Sequence, residues 1–182
     1  MEEKWAHRAE LAEAAINERH AHSVWGLPRT NLAVVSWPPT TKEKLFVHWH
    51  YWWQAHYLDC LVDAAERKNT KARRQRILDT MRGIRVRNLA QLTKNKYFDD
   101  KAWLALALTR AETLPKFGAI RGRNELIQNI FDGVDSLTGV LPWRTNENFY
   151  NVPTNGPAAI LAARVGELEL SEHLVDWVFD NL

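Results

Sequence analysis

The sequence contains little cysteine and has little net charge. Both features restrict the kinds of site and of binding partner that the protein can have. Cys60 is the only cysteine in 182 residues, so an intrachain disulfide and a multi-cysteine zinc site are excluded. Lys plus Arg total 24 against 22 Asp plus Glu, a net charge of +2. Such a balance gives no general reason to expect a nucleic-acid or membrane partner. The apolar share, 46%, is that of an ordinary globular protein.

Long hydrophobic runs and leader sequences are also missing. The longest uncharged run, residues 45–58, is too short and too rich in His and Trp to span a bilayer. The start, Met1-Glu2-Glu3-Lys4, is polar and shows no signal peptide. We therefore expect no membrane span and, by default, a cytoplasmic location. What the chain does have is tryptophan, nine residues of it, which indicates either an aromatic core or a surface that stacks flat ligands.

Hydrophobic residues recur mostly with a helical period, which predicts an all-α chain. Only residues 32–37 suggest a short strand. Residues 46–67, 99–112 and 157–165 are apolar nearly all round and predict buried helices. The predicted amphipathic helices cover residues 2–19, 71–89, 124–134 and 171–180, the last with Ser171 as its N-cap.

Buried and amphipathic helices alternate three times, which indicates a repeat of helical hairpins. Aligned on Ala55, Ala102 and Ala158, the buried helices begin near Trp52-Trp53, Asp99-Asp100 and Asn155-Gly156. Parallel stacking of these helices would bring the three ends to one rim. The loop-like stretch 136–157, which carries Trp143 and Arg144, leads into the third of them.

The Asp99-Asp100 pair is the sharpest candidate for chemistry. Glycoside hydrolysis uses two carboxyl groups, and two close carboxylates resist simultaneous ionisation, so that one can stay protonated as an acid. Aspartate is also common at helix starts, where it satisfies free amides. Capping is the more frequent use of such residues. Trp103, one turn further on, and Tyr97 add surface for a sugar ring.

Three other groups of residues invite a functional interpretation. Trp52, Trp53 and Gln54 lie in an aromatic run that suits a core and a cleft about equally. His48, His50 and His56 have spacings that place no two imidazoles on one helical face, so we expect no metal site, and no motif indicates a cofactor. The basic residues of segment 71–87 favour a solvated helix face over nucleic-acid binding.

Several blocks of the sequence together resemble glycoside hydrolase family 76. They are Tyr51-Trp52-Trp53-Gln54-Ala55-His56, Arg87-Asn88, residues 95–107 around Tyr97-Phe98-Asp99-Asp100, and residues 155–164. The resemblance implies an (α/α)6 toroid and a retaining endo-α-1,6-mannanase acting on mannan. It further implies that Asp99 is the nucleophile and Asp100 the acid/base. The substrate-binding residues expected beside this pair are Trp52, Trp53, Gln54, Asn88, Tyr97, Trp103, Trp143, Arg144 and Asn155.

The chain has three of the six hairpins of such a toroid. We therefore expect residues 1–182 to be one helical domain, the N-terminal half of a ring, incomplete at its C-terminus. Two alternatives stay open at this point. One is another carbohydrate enzyme of toroid fold, such as an epimerase or an unsaturated-uronide hydrolase. The other is a helical-repeat module that binds a glycan without turning it over.

Overall fold

A computed structural model describes residues 2–182, which form eight α-helices and one small two-stranded sheet. None of these helices is both long and apolar enough to cross a membrane. The strands β1 (Ala21–His22) and β2 (Leu32–Ala33) pair antiparallel. The helices are α1 (Glu2–Arg19), α2 (Thr41–Lys44), α3 (Tyr51–Arg67), α4 (Lys71–Arg87), α5 (Phe98–Thr113), α6 (Arg123–Phe131), α7 (Val152–Val165) and α8 (Leu168–Asn181).

Three helical hairpins stand side by side, as the repeat predicts. The inner helices α3, α5 and α7 pack in that order, and α4, α6 and α8 each pack against the inner helix that precedes them. The fold is therefore all-α, with the hairpin arrangement of an (α/α)6 toroid over about half of its ring.

Helix α5 lies at the centre of this arrangement and is buried along most of its length. Its alanines, among them Ala102, Ala105 and Ala107, are fully buried. Small side chains let neighbouring helices approach closely, while Leu104 and Leu108 fill the spaces between them. This packing fixes the first turn of α5, which carries Asp99 and Asp100.

The start of α3 corrects the prediction of a helix from residue 46. The helix begins at Tyr51, after His50 in a left-handed conformation (φ 45°). Phe46 belongs to the preceding loop and is nevertheless buried. Its apolar side chain therefore fitted the helical hydrophobic pattern although the residue is not helical. His48 and Trp49 therefore lie in a loop.

The last hairpin also differs from the prediction at both helix starts. Helix α7 begins at Val152 and not at 157, because the Asn151 side chain caps it and Pro153 lies in the first turn, where no N–H is needed. Ser171 is not an N-cap. Helix α8 starts three residues before it, and the Ser171 hydroxyl donates to the Ala159 carbonyl of α7 at 2.9 Å.

The N-terminal region departs from the prediction in two further ways. The strand expected over residues 32–37 is only two residues long. Helix α1 has its predicted bounds, but its apolar residues Trp5, Leu11 and Ile16 are exposed. Periodicity thus located this helix without identifying what covers its apolar face.

Candidate active site

A cavity of about 750 Å³ opens where α3 and α5 begin. Two carboxylates, Asp99 and Asp100, lie in its wall. Much of the remaining lining is aromatic or basic, a combination suited to flat polar ligands such as sugars. The lining residues are Val47, His48, Trp49, His50, Tyr51, Trp52, Arg87, Asn88, Lys94, Asn95, Tyr97, Asp99, Asp100, Trp103 and Trp143.

Asp99 and Asp100 occupy the first turn of α5, but neither is its N-cap. That position belongs to Tyr97, whose side chain makes no capping hydrogen bond. Asp99 Oδ1 accepts a hydrogen bond from the Asp100 amide at 2.8 Å, which satisfies one free helix-start donor. The other three carboxylate oxygens of the pair are not used in this way. Capping therefore explains only part of what this pair does.

Each carboxylate has its own side-chain donor. The Trp143 indole N–H donates to Asp99 Oδ2 at 3.0 Å. The Asn95 amide donates to Asp100 Oδ2 at 2.8 Å. Neutral donors hold a carboxylate in place without supplying the full positive charge that would keep it ionised.

The pKa values of both carboxyl groups are raised. Burial raises the pKa of Asp100 to about 6, the charge of Asp99 acts in the same direction, and the Asn95 hydrogen bond opposes them. Burial also raises the pKa of Asp99, against the hydrogen bonds from the Asp100 amide and Trp143. Within residues 2–182 neither carboxylate forms a salt bridge. With a pKa of about 6, Asp100 is protonated in a far larger fraction of molecules near neutral pH than an ordinary aspartate.

Lys101 follows the pair directly in the sequence and still does not neutralise it. Its ammonium lies over the Phe98 ring, 3.9 Å from the centroid, and donates to Asn129 Oδ1 at 2.9 Å. The side chain is 2% exposed, and burial lowers the pKa of Lys101 to about 8. Helical geometry points this cation into the interface with α6 and leaves the pair without a counter-ion.

The loop between α6 and α7 places Trp143 over the pair. The Phe98 amide donates to the Trp143 carbonyl at 3.0 Å, and the Thr145 amide donates to the Lys96 carbonyl at 2.9 Å. The Trp143 ring also contacts Tyr97, with ring centroids 5.0 Å apart. Backbone pairing thus ties this loop to the residues that precede α5 and fixes the indole next to Asp99.

Aromatic residues of α3 and α5 also line the cavity. Trp52 is 45% exposed and contacts His56 edge to face, and His56 in turn lies 4.9 Å from the Trp103 ring. Trp103 and Asp99 are four residues apart on α5, so they share one helix face. The structure therefore brings Trp52, Tyr97, Trp103 and Trp143 together around the two carboxylates.

Other residues expected to bind substrate lie elsewhere, and the structure corrects those expectations. Trp53 faces a separate groove between α1 and α3. Gln54 is 1% exposed, and its amide pairs with the backbone N–H and carbonyl of Ala33. Asn155 is fully buried and pairs in the same way with Leu141. The Gln54 amide thus satisfies backbone groups of β2, and the Asn155 amide those of the loop before α7, so both are already occupied by the protein itself.

Asn88 and Arg144 have intermediate positions. Asn88 lines the cavity, but it is mostly buried and its side-chain amide donates to the Gln91 carbonyl. Arg144 lies outside the lining, forms a salt bridge with Glu147, and places its guanidinium near the Tyr97 and Trp143 rings.

Sequence reasoning missed several lining residues. Asn95 is the important one, since it holds Asp100, and a loop asparagine five residues before an aspartate gives no recognisable signal. His48, for which the sequence suggested only a metal role, lines the cavity together with His50, which belongs to the aromatic run of residues 49–54. Among the described residues no three His, Cys, Asp or Glu side chains converge as metal ligands.

This chain is similar to known solved structures but not to known family models or curated sequences. No protein-family model matches the sequence, and no curated protein sequence matches it either. Among solved structures, the Lin0763 protein from Listeria innocua is similar with a TM-score of 0.81 and 22% identity. The match covers 98% of this chain and 53% of that one.

A second similar structure has a known activity. The GH76A α-1,6-mannanase from a Salegentibacter species matches with a TM-score of 0.78 and 26% identity, over 98% of this chain and 52% of the enzyme. An inactive variant of that enzyme, with two consecutive aspartates changed to asparagine, was crystallised with α-1,6-mannotriose; it matches with a TM-score of 0.77 and 24% identity, over 98% of this chain and 52% of that one.

These matches confirm the predicted resemblance. The chain has the fold of a carbohydrate-active helical toroid over half a ring. More specifically, it resembles the GH76 α-1,6-mannanases, consistent with the N-terminal half of such a domain. The chain spans about half the length of the structures it matches.

Proposed function

We propose that this chain supplies the carboxylate pair of a retaining endo-α-1,6-mannanase of glycoside hydrolase family 76. The observation that carries the proposal is the pair itself: two adjacent aspartates, partly buried and without a salt bridge among residues 2–182, in the wall of an aromatic-lined cavity. The similar Salegentibacter enzyme is inactive when two consecutive aspartates are replaced. Asp99-Asp100 is the one Asp-Asp dipeptide in this sequence.

The different environments of the two carboxylates support different roles. Asp100, with its pKa raised to about 6, is suited to protonate the leaving glycosidic oxygen. Asp99, held by the Trp143 N–H and the Asp100 amide, is suited to attack the anomeric carbon as a carboxylate. The C–O bond to the leaving sugar breaks as the glycosyl ester to Asp99 forms. Asp100 then takes a proton from water, which hydrolyses the ester.

The surrounding residues would bind and orient the mannan. Trp52, Trp103 and Tyr97 offer ring faces to successive sugars, and the Trp143 ring lies where it can contact both a sugar and Asp99. Asn95 acts as a positioning residue, because its hydrogen bond fixes the rotamer of Asp100.

Asparagine substitutions test this assignment in the protein that carries the chain. Asp99→Asn cannot form the glycosyl ester, so turnover of α-1,6-mannan and of an activated aryl mannoside should both fall by at least about 10³-fold. Asp100→Asn cannot protonate a poor leaving group, but the aryl mannoside needs no proton and should still release its phenol in a burst.

The matched control is Asp63→Asn, a change of the same chemistry on α3, further along the helix from its start at the cavity. It should leave both rates within about twofold, because surface substitutions away from a site have small effects. Near-wild-type rates in both Asp99→Asn and Asp100→Asn would contradict the proposal. They would leave a glycan-binding or helix-capping role for the pair.

A further inference from the structure

Helix α4 carries six arginines, and all of them except Arg87 lie outside the lining of the carboxylate cavity. Arg73 binds Glu13, Arg87 donates to the carbonyls of Phe46 and Val47, and Arg74 donates to Asn69. The Arg85 side chain, by contrast, forms no salt bridge, and its buried Nη2 atom has no hydrogen-bond partner among residues 2–182. The bonds of Arg73, Arg74 and Arg87 stabilise the fold, whereas Arg85 needs another explanation.

Arg85 lies in a cleft of about 270 Å³ between α4 and the loop that joins α5 to α6. Its charged lining residues are all cationic: Arg74, Arg85, Lys116 and Arg121. The walls between them are apolar, formed by Leu78, Met81, Phe117 and Ile120 together with Gly118 and Ala119. The cleft shares no residue with the cavity around Asp99 and Asp100.

The environment of the Arg85 guanidinium disfavours its positive charge. Its Nη2 atom is buried and lacks an acceptor. Burial lowers the pKa of Arg85, and the nearby charge of Arg121 lowers it further. Leaving a buried charged donor unsatisfied is costly, and two neighbouring cations repel each other. A bound anion would relieve both effects.

The start of α6 adds positive potential at the same place. Its N-cap is Gly122, in a left-handed conformation and without a side-chain cap. A Cβ atom on Gly122 would lie 3.8 Å from Arg85 Nη2, so the guanidinium lies against this helix start. Two acidic residues lie near this helix start in the sequence. Glu125, in the first turn of α6, is exposed and does not line the cleft, and Glu112 is already engaged by Arg123 and the Ile120 amide. No carboxylate lines the cleft.

We propose that this cleft binds a phosphate group, either free phosphate or a phosphate monoester. Arg85 and Arg121 would donate to the phosphate oxygens, with Lys116 as a further cation at the edge. Leu78, Met81 and Phe117 would contact the organic part of an ester. The cleft is separate from the carboxylate cavity, so this proposal stands or falls independently of the mannanase assignment.

Backbone amide NMR of the protein that carries this chain tests the proposal, with inorganic phosphate and phenyl phosphate titrated against chloride at constant ionic strength. Both ligands should give saturable shifts confined to residues 116–122 and to α4. Tighter binding of phenyl phosphate would identify an ester as the ligand, and equal affinity would identify the free anion. Shifts that stay linear and spread over the surface would overturn the proposal.

Substitutions separate phosphate binding from a structural role of Arg85. Arg85→Met keeps the apolar stem and should weaken phosphate binding by at least about tenfold, the equivalent of one charge-assisted hydrogen bond. In chloride alone its melting temperature should be equal to or higher than that of the wild type, because the unsatisfied charge is gone. A purely structural arginine would lower it.

Two further variants keep the test decisive. Arg82→Met, on the same helix but exposed and outside the cleft, is the matched control and should bind phosphate like the wild type. Arg121→Gln changes an exposed residue and should weaken binding without affecting the fold. Full phosphate affinity in both Arg85→Met and Arg121→Gln would overturn the proposal.

Discussion

Two clusters of carboxylates lie on neighbouring inner helices, and their environments are opposite. At the start of α5, Asp99 and Asp100 are partly buried and receive hydrogen bonds from the neutral donors Trp143 and Asn95. Further along, three carboxylates of α3, those of Asp59, Asp63 and Glu66, surround the guanidinium of Arg110 on α5.

The two environments favour different protonation states: one keeps an arginine charged, and the other favours a protonated carboxyl group. Burial alone would lower the pKa of Arg110, but its hydrogen bonds and charge interactions with the three acids raise it, so this cation stays charged. Burial raises the pKa of Asp100 to about 6, where no cation compensates. The same residue types thus form a structural ion-pair network in one place and a proton-holding pair in the other.

Giving the α5 pair a cation should remove this difference. In Asn95→Lys an ammonium replaces the amide beside Asp100, lowers the pKa of that carboxyl and deprives the reaction of its acid. Mannan turnover near neutral pH should fall by about 10²-fold, within the range that general acid catalysis contributes. Turnover should recover partly as the pH is lowered, and pH profiles of kcat/KM measure both effects.

Two comparisons sharpen this test. Asn95→Gln keeps a neutral amide donor and should retain more activity than Asn95→Lys. An activated aryl mannoside needs little protonation, so Asn95→Lys should affect its first turnover much less than that of mannan. Equal losses with both substrates would indicate a collapsed site and not a lost acid.

Removing the cation from the other cluster should affect stability and not chemistry. Arg110→Met leaves three carboxylates facing one another, and we expect the free energy of unfolding to fall by about 1–2 kcal/mol, since each exposed pair contributes up to ~1 kcal/mol. Urea denaturation measures the change, with Arg82→Met as the control. An unchanged midpoint would show that the network contributes nothing to stability.

The smallest expected effect concerns the aromatic wall beside the carboxylate pair. Trp103→Ala should weaken α-1,6-mannotriose binding about two- to tenfold, the ~0.5–1.5 kcal/mol typical of an aromatic contact. Titration calorimetry on the Asp99→Asn background measures affinity without turnover. Because Trp103 is half-buried, a circular-dichroism melt must accompany it. A large drop in melting temperature would identify the indole as part of the core.

The sequence predicted the elements of the fold well and the site only in part. Helix α1 and the three hairpins follow from hydrophobic period, and the repeat placed Asp99-Asp100 and Trp52 on one rim. Gln54 and Asn155 were misassigned, because an amide near a helix start can bind the backbone of a neighbouring strand or loop as readily as a ligand. Asn95 lies only five residues before Asp100, but its hydrogen bond depends on the conformation of the loop before α5. Trp143 as a donor to Asp99 and the burial of Lys101 against α6 depend on contacts between distant segments. Local pattern carries no information on these.

The claim that Asp100 acts as the acid is tested most directly by a carboxyl-carbon NMR titration of Asp99 and Asp100 in the free protein. The Asp99→Asn and Asp100→Asn variants assign the two signals. We predict that Asp100 titrates near pH 6, that Asp99→Asn lowers this pKa by removing a neighbouring charge, and that Asn95→Ala raises it by removing the donor. Ordinary values below pH 4 for both carboxyls would contradict the account, because the pair would then hold no proton to donate.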